Sequence, residues 1–145
     1  MTMLIGEYTT KIDEKNRAAV PNKFREELGS KVVISRGYEG CLILVSQENW
    51  EKLVGDAVKG PFVSGAVRDT SRFLLAGAFE LELDSQGRVV IPKALSDFLG
   101  AKEEISFLGL GRWVELWSKE KWQERLVFLN DKGSEIADKL SKIEI

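Results

Sequence analysis

The sequence predicts an α+β fold, mainly β with helices, in which two tandem repeats build one pseudo-two-fold β-barrel. Three observations lead there. Two stretches of the 145-residue chain match when it is shifted by 71 residues. Each stretch alternates apolar and polar side chains with the period of a half-buried strand. Each unit, at roughly 45 residues, lies near the lower size limit for a core of its own. With no His and one Cys in the chain, no zinc site or internal disulfide is available to staple it. Interleaving the two units would bury both sets of strand faces at once.

The repeats begin at Gly6-Glu7-Tyr8 and Gly77-Ala78-Phe79. Phe79, Leu81 and Leu83 alternate with Glu80, Glu82 and Asp84, which predicts a first strand. Tyr8, Thr10 and Ile12 carry the pattern more weakly. A tight connection follows, from Asp13 to Arg17 and from Asp84 to Arg88. Within it Asn16 stands where the second repeat has Gly87. Gly and Asn most readily take positive φ, so this slot is expected to need a left-handed backbone. Second strands are expected over residues 18–20 and 89–91. Pro21 and Pro92 then open short helices, expected at the first helical position. Phe24 with Leu28, and Leu95 with Leu99, form their apolar faces, and Gly29 and Gly100 stop them.

Residues 32–34 and 105–108 read as third strands, with Lys31 and Ile34 matching Lys102 and Ile105 at the same offset. A turn over 37–40 leads to a fourth strand over 41–45, whose counterpart over 113–117 follows 109–111. Ser46 and Ser118 are expected helix N-caps, with Glu48 and Glu120 in the first turn where the dipole favours anions. Val45 with Trp50, and Trp117 with Trp122, have the spacing of a hydrophobic staple, which makes the tryptophans packing anchors. Between the repeats, 55–65 reads as a loop around Pro61. Residues 67–76 read as a short helix, with Arg68 and Arg72 on a solvated or subunit-contact face. After 130–133, Ile136, Leu140 and Ile143 predict a final amphipathic helix docked on the body or on a neighbour. The expected organisation is a first repeat over 7–49, a linker with short helices over 50–77, a second repeat over 78–121 and a helical tail over 122–145.

Composition removes several function classes. Without His there is no Ser-His-Asp or Cys-His nucleophile and no His-ligated zinc. Cys41, within Cys-Leu-Ile-Leu-Val, reads as an inert buried thiol. No Gly-rich phosphate loop or spaced carboxylate cluster is present. The expectation is a non-enzyme with no cofactor, no metal and no small-molecule substrate. No apolar run approaches the ~18 residues of a membrane span, and the start lacks a signal peptide's basic and apolar regions, so the expected place is the cytoplasm. The 21 Lys+Arg against 23 Asp+Glu give a formal net charge of −2. Nucleic-acid binding would therefore need local positive patches.

The Asp-x-x-x-Arg connection followed by apolar residues and Pro occurs twice. The stretch from Gly6-Glu7-Tyr8 through Asp13-Glu14-Lys15-Asn16-Arg17 to Pro21-Asn22-Lys23-Phe24-Arg25-Glu26-Glu27-Leu28 resembles the start of the bacterial MraZ family. Leu83-Asp84-Ser85-Gln86-Gly87-Arg88-Val89-Val90-Ile91-Pro92 is similar to that family's second motif, and Glu115-Leu116-Trp117-Ser118-Lys119-Glu120-Lys121-Trp122 fits its pattern. The resemblance covers residues 3 to 125. It implies two SpoVT-AbrB-like units forming a double-split, swapped-hairpin barrel. It also implies a homo-oligomeric, octamer-like ring and a nucleoid-associated, DNA-binding transcriptional regulator, in most members a repressor. The implied target is the division and cell-wall gene cluster that contains the regulator's own gene, with short direct repeats in the promoter as the implied double-stranded DNA partner. The family's first loop commonly reads Asp-x-Lys-Gly-Arg, and here Asn16 replaces the Gly.

Charge distribution bears on which loop meets DNA. Residues 1–36 carry seven basic and five acidic side chains, and residues 77–122 six basic and eight acidic. The first loop is therefore the expected DNA-binding element. Arg17 is expected at a guanine edge, Lys15 at a base or phosphate, and Asn16 at a further polar contact. Asp13 is expected to shape the loop. Asp84 and Arg88 are expected to form a structural pair or a secondary DNA contact. The alternative function is an oligomeric scaffold or antitoxin-like protein-binding module, in which Arg17 and Arg68 serve protein contacts.

Overall fold

A computed structural model describes residues 3–143. The first repeat contributes β1 (Leu4–Lys11), β2 (Arg17–Ala19), α1 (Asn22–Leu28), β3 (Lys31–Arg36) and β4 (Leu42–Ser46). Helices α2 (Gln47–Ala57) and α3 (Gly65–Leu74) follow. The second repeat contributes β5 (Phe79–Glu82), β6 (Arg88–Val90), α4 (Lys93–Leu99), β7 (Glu104–Gly111) and β8 (Val114–Ser118). Helix α5 (Lys119–Leu140) ends the series. No helix of the described residues is long and apolar enough to cross a membrane.

Six strands form an antiparallel sheet in the order β1-β7-β8-β4-β3-β5, while β2 and β6 pair separately. The order reads the same in reverse when each strand is exchanged for its repeat counterpart. The repeats trade their first strands: β1 lies along β7, and β5 along β3. Strands β4 and β8 join the halves. The ladder has β1 and β5 at its ends, and the three-residue β2 and β6 bond each other and meet the sheet through the Ile12–Ala18 bridge.

One core serves both repeats. Ala18, Val20, Phe24 and Leu28 meet Val89, Ile91, Leu95 and Leu99 in it, all at most 3% exposed. This mutual burial answers the size argument, since neither unit owns a separate core. The offset of 71 does not persist. Leu83 N–H donates to Ser30 O, and Ile12 N–H to Glu103 O, so Ser30 corresponds to Glu103 and the offset has grown to 73. Ile34 therefore matches Phe107, and Ile105 matches Val32. Helix α1 leaves through Gly29 with ψ −175°, whereas Gly100 is left-handed with ψ 21°, so the second repeat takes a longer path into its third strand.

Other expectations need adjustment. Pro21 and Pro92 are N-caps rather than first helical residues, because their ψ of 135° and 144° is extended. Residues 55–57 belong to α2, which leaves only 58–64 as loop. Strand β7 runs on through Gly111, so the turn into β8 lies at Arg112 and Trp113. Helix α5 passes through Gly133 unbroken. Its Leu140 is 60% exposed, so the tail is not docked on the body. Ser46 Oγ accepts from Asn49 N–H and Ser118 Oγ from Lys121 N–H, which makes both serines the expected caps. Trp117 and Trp122 meet edge to face at 5.6 Å, and Cys41 is fully buried.

Candidate nucleic-acid interface

The two Asp-to-Arg connections share one geometry because the aspartate organises each in the same way. Asp13 Oδ1 accepts from the backbone N–H groups of Lys15 and Arg17, both at 2.9 Å, and Oδ2 accepts from Arg17 Nε at 2.7 Å. Asp84 Oδ1 accepts from Gln86 and Arg88 N–H at 2.9 Å, and Oδ2 from Arg88 Nε at 2.7 Å. Each loop is an Asx-type turn closed by a charge-assisted bond. Asp13 thus both shapes the loop and orients Arg17.

These donors hold both carboxyls below the usual aspartate range, the backbone N–H of Arg17 or Arg88 acting most strongly. A lowered carboxyl stabilises the fold above its unfolded value of about 4. That contribution is lost as pH falls through the lowered folded value. NMR titration of the Asp13 and Asp84 carboxyl carbons should give midpoints below the free-aspartate value of about 4. Midpoints at or above that value would contradict the loop geometry.

Both loops place their fourth residue at positive φ, 60° at Asn16 and 73° at Gly87. The other repeat decides which residue fits. Arg25 of α1 lies over Gly87, where an added Cβ would stand 2.3 Å from its Cζ, while Arg25 Nε donates to Val20 O at 2.7 Å. Over Asn16 the equivalent position of α4 is the short Ser96, whose Oγ lies 3.2 Å from Asn16 Oδ1. The pairs Arg25–Gly87 and Ser96–Asn16 are alternative solutions of one crossing. The Asn16 amide oxygen is thus engaged within the fold. Gly87→Asn is expected to cost about 1–2 kcal/mol, from left-handed strain and a displaced Arg25 bond. Adding Arg25→Ser should recover at least half of that loss in urea unfolding. Simple additivity would contradict the crossing.

The two arginines share a surface. Arg17 lies opposite Val90 in the β2–β6 ribbon, Ala18 opposite Val89 and Ala19 opposite Arg88. Ala18 and Val89 point inward, 1% and 0% exposed. Side chains alternate along a strand, so Arg17, Ala19, Arg88 and Val90 share the outer face. Arg17 and Arg88 are diagonal neighbours across the ribbon, about 7–8 Å apart at Cα. Each guanidinium bonds its own aspartate through Nε, a pairing that offsets repulsion between the two. Lys15 is exposed at the tip of the first loop, and Gln86 holds the equivalent place in the second.

Sequence reasoning identified both loops but missed Arg25 and Ser96. The signal was available in the repeat: the two positions correspond, and their residue types change together with those at Asn16 and Gly87.

The family described as "MraZ protein, putative antitoxin-like" matches residues 3–73 and again residues 74–138. The Transcriptional regulator MraZ of Thermoanaerobacter sp. (strain X514) is 39% identical over 143 residues, covering 99% of this chain and 100% of that protein. The protein of the same name from Acetivibrio thermocellus is 37% identical over 143 residues, with the same coverage. The solution structure of PHS018 from Pyrococcus horikoshii aligns with 78% of this chain and 96% of that one, at 23% identity and a TM-score of 0.35.

Proposed function

The chain belongs to the MraZ family, and on that premise we propose that it is a sequence-specific, DNA-binding transcriptional regulator that reads the major groove through its β2–β6 ribbon. The observation that carries this reading is the shared outer face with Arg17 and Arg88. A two-stranded ribbon fits the major groove. Arg17 is already held by Asp13 through Nε, so its terminal amino groups are the ones offered to guanine O6 and N7. Holding the guanidinium beforehand lowers the ordering cost of binding. Lys15 meets phosphate or a neighbouring base. Asn16 serves chiefly to set the turn, and Asp84 with Arg88 forms a second, weaker contact.

One ribbon is a weak ligand for DNA on a chain of net charge −2. Several identical ribbons on a homo-oligomer bind cooperatively once the first has docked, if operator spacing matches subunit spacing. Head-to-tail contacts in a ring suit direct repeats. We read the exchanged first strands as a double-split, swapped-hairpin barrel, with repeats over 7–49 and 78–121, a linker over 50–77 and a tail over 122–145. The proposed role is repression of the division and cell-wall cluster through promoter direct repeats, at the nucleoid and without catalysis.

Gel shifts on one, two and three repeats test this reading. Affinity is expected to rise with each repeat and to fall steeply with salt. Lys15→Ala should reduce the slope of log affinity against log salt by about one per engaged loop. Equal affinity for all three operators would refute the reading. The antitoxin-like description of the family favours a second one, a protein-binding scaffold in which the Asp13–Arg17 pair only pins the hairpin. Salt-insensitive or absent DNA binding would select it.

A further inference from the structure

The two ribbon arginines carry little net positive charge between them. Arg17 and Arg88 each give Nε to their own aspartate at 2.7 Å, so a carboxylate matches each guanidinium. At the first loop the uncompensated cation is Lys15, exposed and without an ion pair among the described residues. The second loop has neutral Gln86 at that place, but a cation reaches it from elsewhere. Arg25 crosses from α1, its Nε donating to Val20 O at 2.7 Å, and a Cβ added to Gly87 would stand 2.3 Å from its Cζ and Nη1. Arg25 is half-buried and forms no ion pair among the described residues. The equivalent position of α4 is Ser96, and the cation of that helix, Lys93, is bound to Asp97 at 3.2 Å. Each loop therefore has one free cation beside it, supplied by a different element.

The length of the ribbon sets the two loops apart. Asn16 O accepts from Ile91 N–H and Gly87 O from Val20 N–H, which extends the β2–β6 pairing one step at each end. From residue 16 to residue 20, at about 3.4 Å per residue, the ends lie roughly 14 Å apart. The major groove is about 12 Å wide. We propose that Arg25 binds a backbone phosphate on the strand opposite the one met by Lys15, so that the ribbon spans the groove with one free cation on each side. Arg25 Nε is committed to Val20 O, which leaves the terminal amino groups to face phosphate oxygens. A guanidinium already fixed in place loses little freedom on binding. Gly87 belongs to the same site, because any side chain there would displace the guanidinium. The inference rests on the ribbon being the DNA-binding element and adds to it a contact with the second strand.

The test uses the full chain on a single operator repeat, with Arg25→Gln, Arg25→Lys and Lys15→Ala beside wild type, and urea unfolding to verify the fold of each. Arg25→Gln is expected to lower the slope of log affinity against log salt by about one, and to weaken matched and single-base-altered operators equally. Arg25→Lys should restore the slope, because an ammonium still neutralises a phosphate as a point charge. A purely structural Arg25 would leave the slope unchanged. Ethylation interference locates the contact: wild type should be blocked at phosphates on both strands. Arg25→Gln should become indifferent to a phosphate on one strand, and Lys15→Ala to a phosphate on the other. Wild-type interference confined to one strand would overturn the inference even if Arg25→Gln failed to fold. If Lys15→Ala lowers the salt slope and folded Arg25→Gln does not, the inference fails and the DNA reading stands. Absent or salt-insensitive binding by wild type would overturn the DNA reading, and this contact with it.

Discussion

Arg17→Ala is expected to weaken binding to a single operator repeat by about 5- to 150-fold, the loss of one bidentate guanine contact worth roughly 1–3 kcal/mol. On a multi-repeat operator the loss should be larger, because every docked ribbon forfeits the contact. The fold should survive. Asp13 keeps the Lys15 and residue-17 backbone N–H bonds that shape the turn, and the Arg17 side chain is 31% exposed rather than core. Circular dichroism and oligomer mass should match wild type. Arg17→Lys should rescue phosphate-like attraction without base discrimination, because an ammonium lacks the planar fork. Arg88→Ala should cost less, since its loop carries Gln86 where the first carries Lys15. Gel shifts on matched and single-base-altered operators measure all three.

Phe24→Ala is expected to destabilise the fold by about 3–5 kcal/mol. Phe24 is completely buried in the shared core and meets Tyr8 of β1 edge to face at 5.3 Å. Removing the ring leaves a cavity beneath the β1–α1 contact. It also strips support from the helix whose Arg25 covers the second loop. Total stability of domains is about 5–15 kcal/mol, so the variant should lose a large fraction of it. The urea midpoint should fall markedly, and the melting temperature by roughly 10 °C. A change within 1 kcal/mol would mean that α1 is not part of the common core.

The parts legible in the sequence were those set by local chemistry. Asn16 opposite Gly87 marked a left-handed slot, the Asp-to-Arg spacing marked the turn, and Ser46 and Ser118 marked helix starts. Glycine misled in two places. Gly55 and Gly133 read as breaks, yet α2 and α5 pass through them, because the roughly 1 kcal/mol cost of a helical Gly is met by the rest of the helix. Strand pairing was not legible. The exchange of β1 and β5 joins residues as far apart in sequence as Ile34 and Phe79 or Leu4 and Gly111, and nothing in a strand's own sequence names its partner. The register step after α4 was hidden by Lys31 and Lys102, which align by identity but not in the ladder. The common face of Arg17 and Arg88 depends on the β2–β6 register, which only the fold supplies.

Methylation interference with dimethyl sulfate tests the proposed contact of Arg17 with a guanine edge at one atom, guanine N7. Methylating one guanine in each repeat is expected to block wild-type binding, and Arg17→Ala is expected to become indifferent to that guanine while remaining sensitive to others. Identical interference patterns for the two proteins would contradict it.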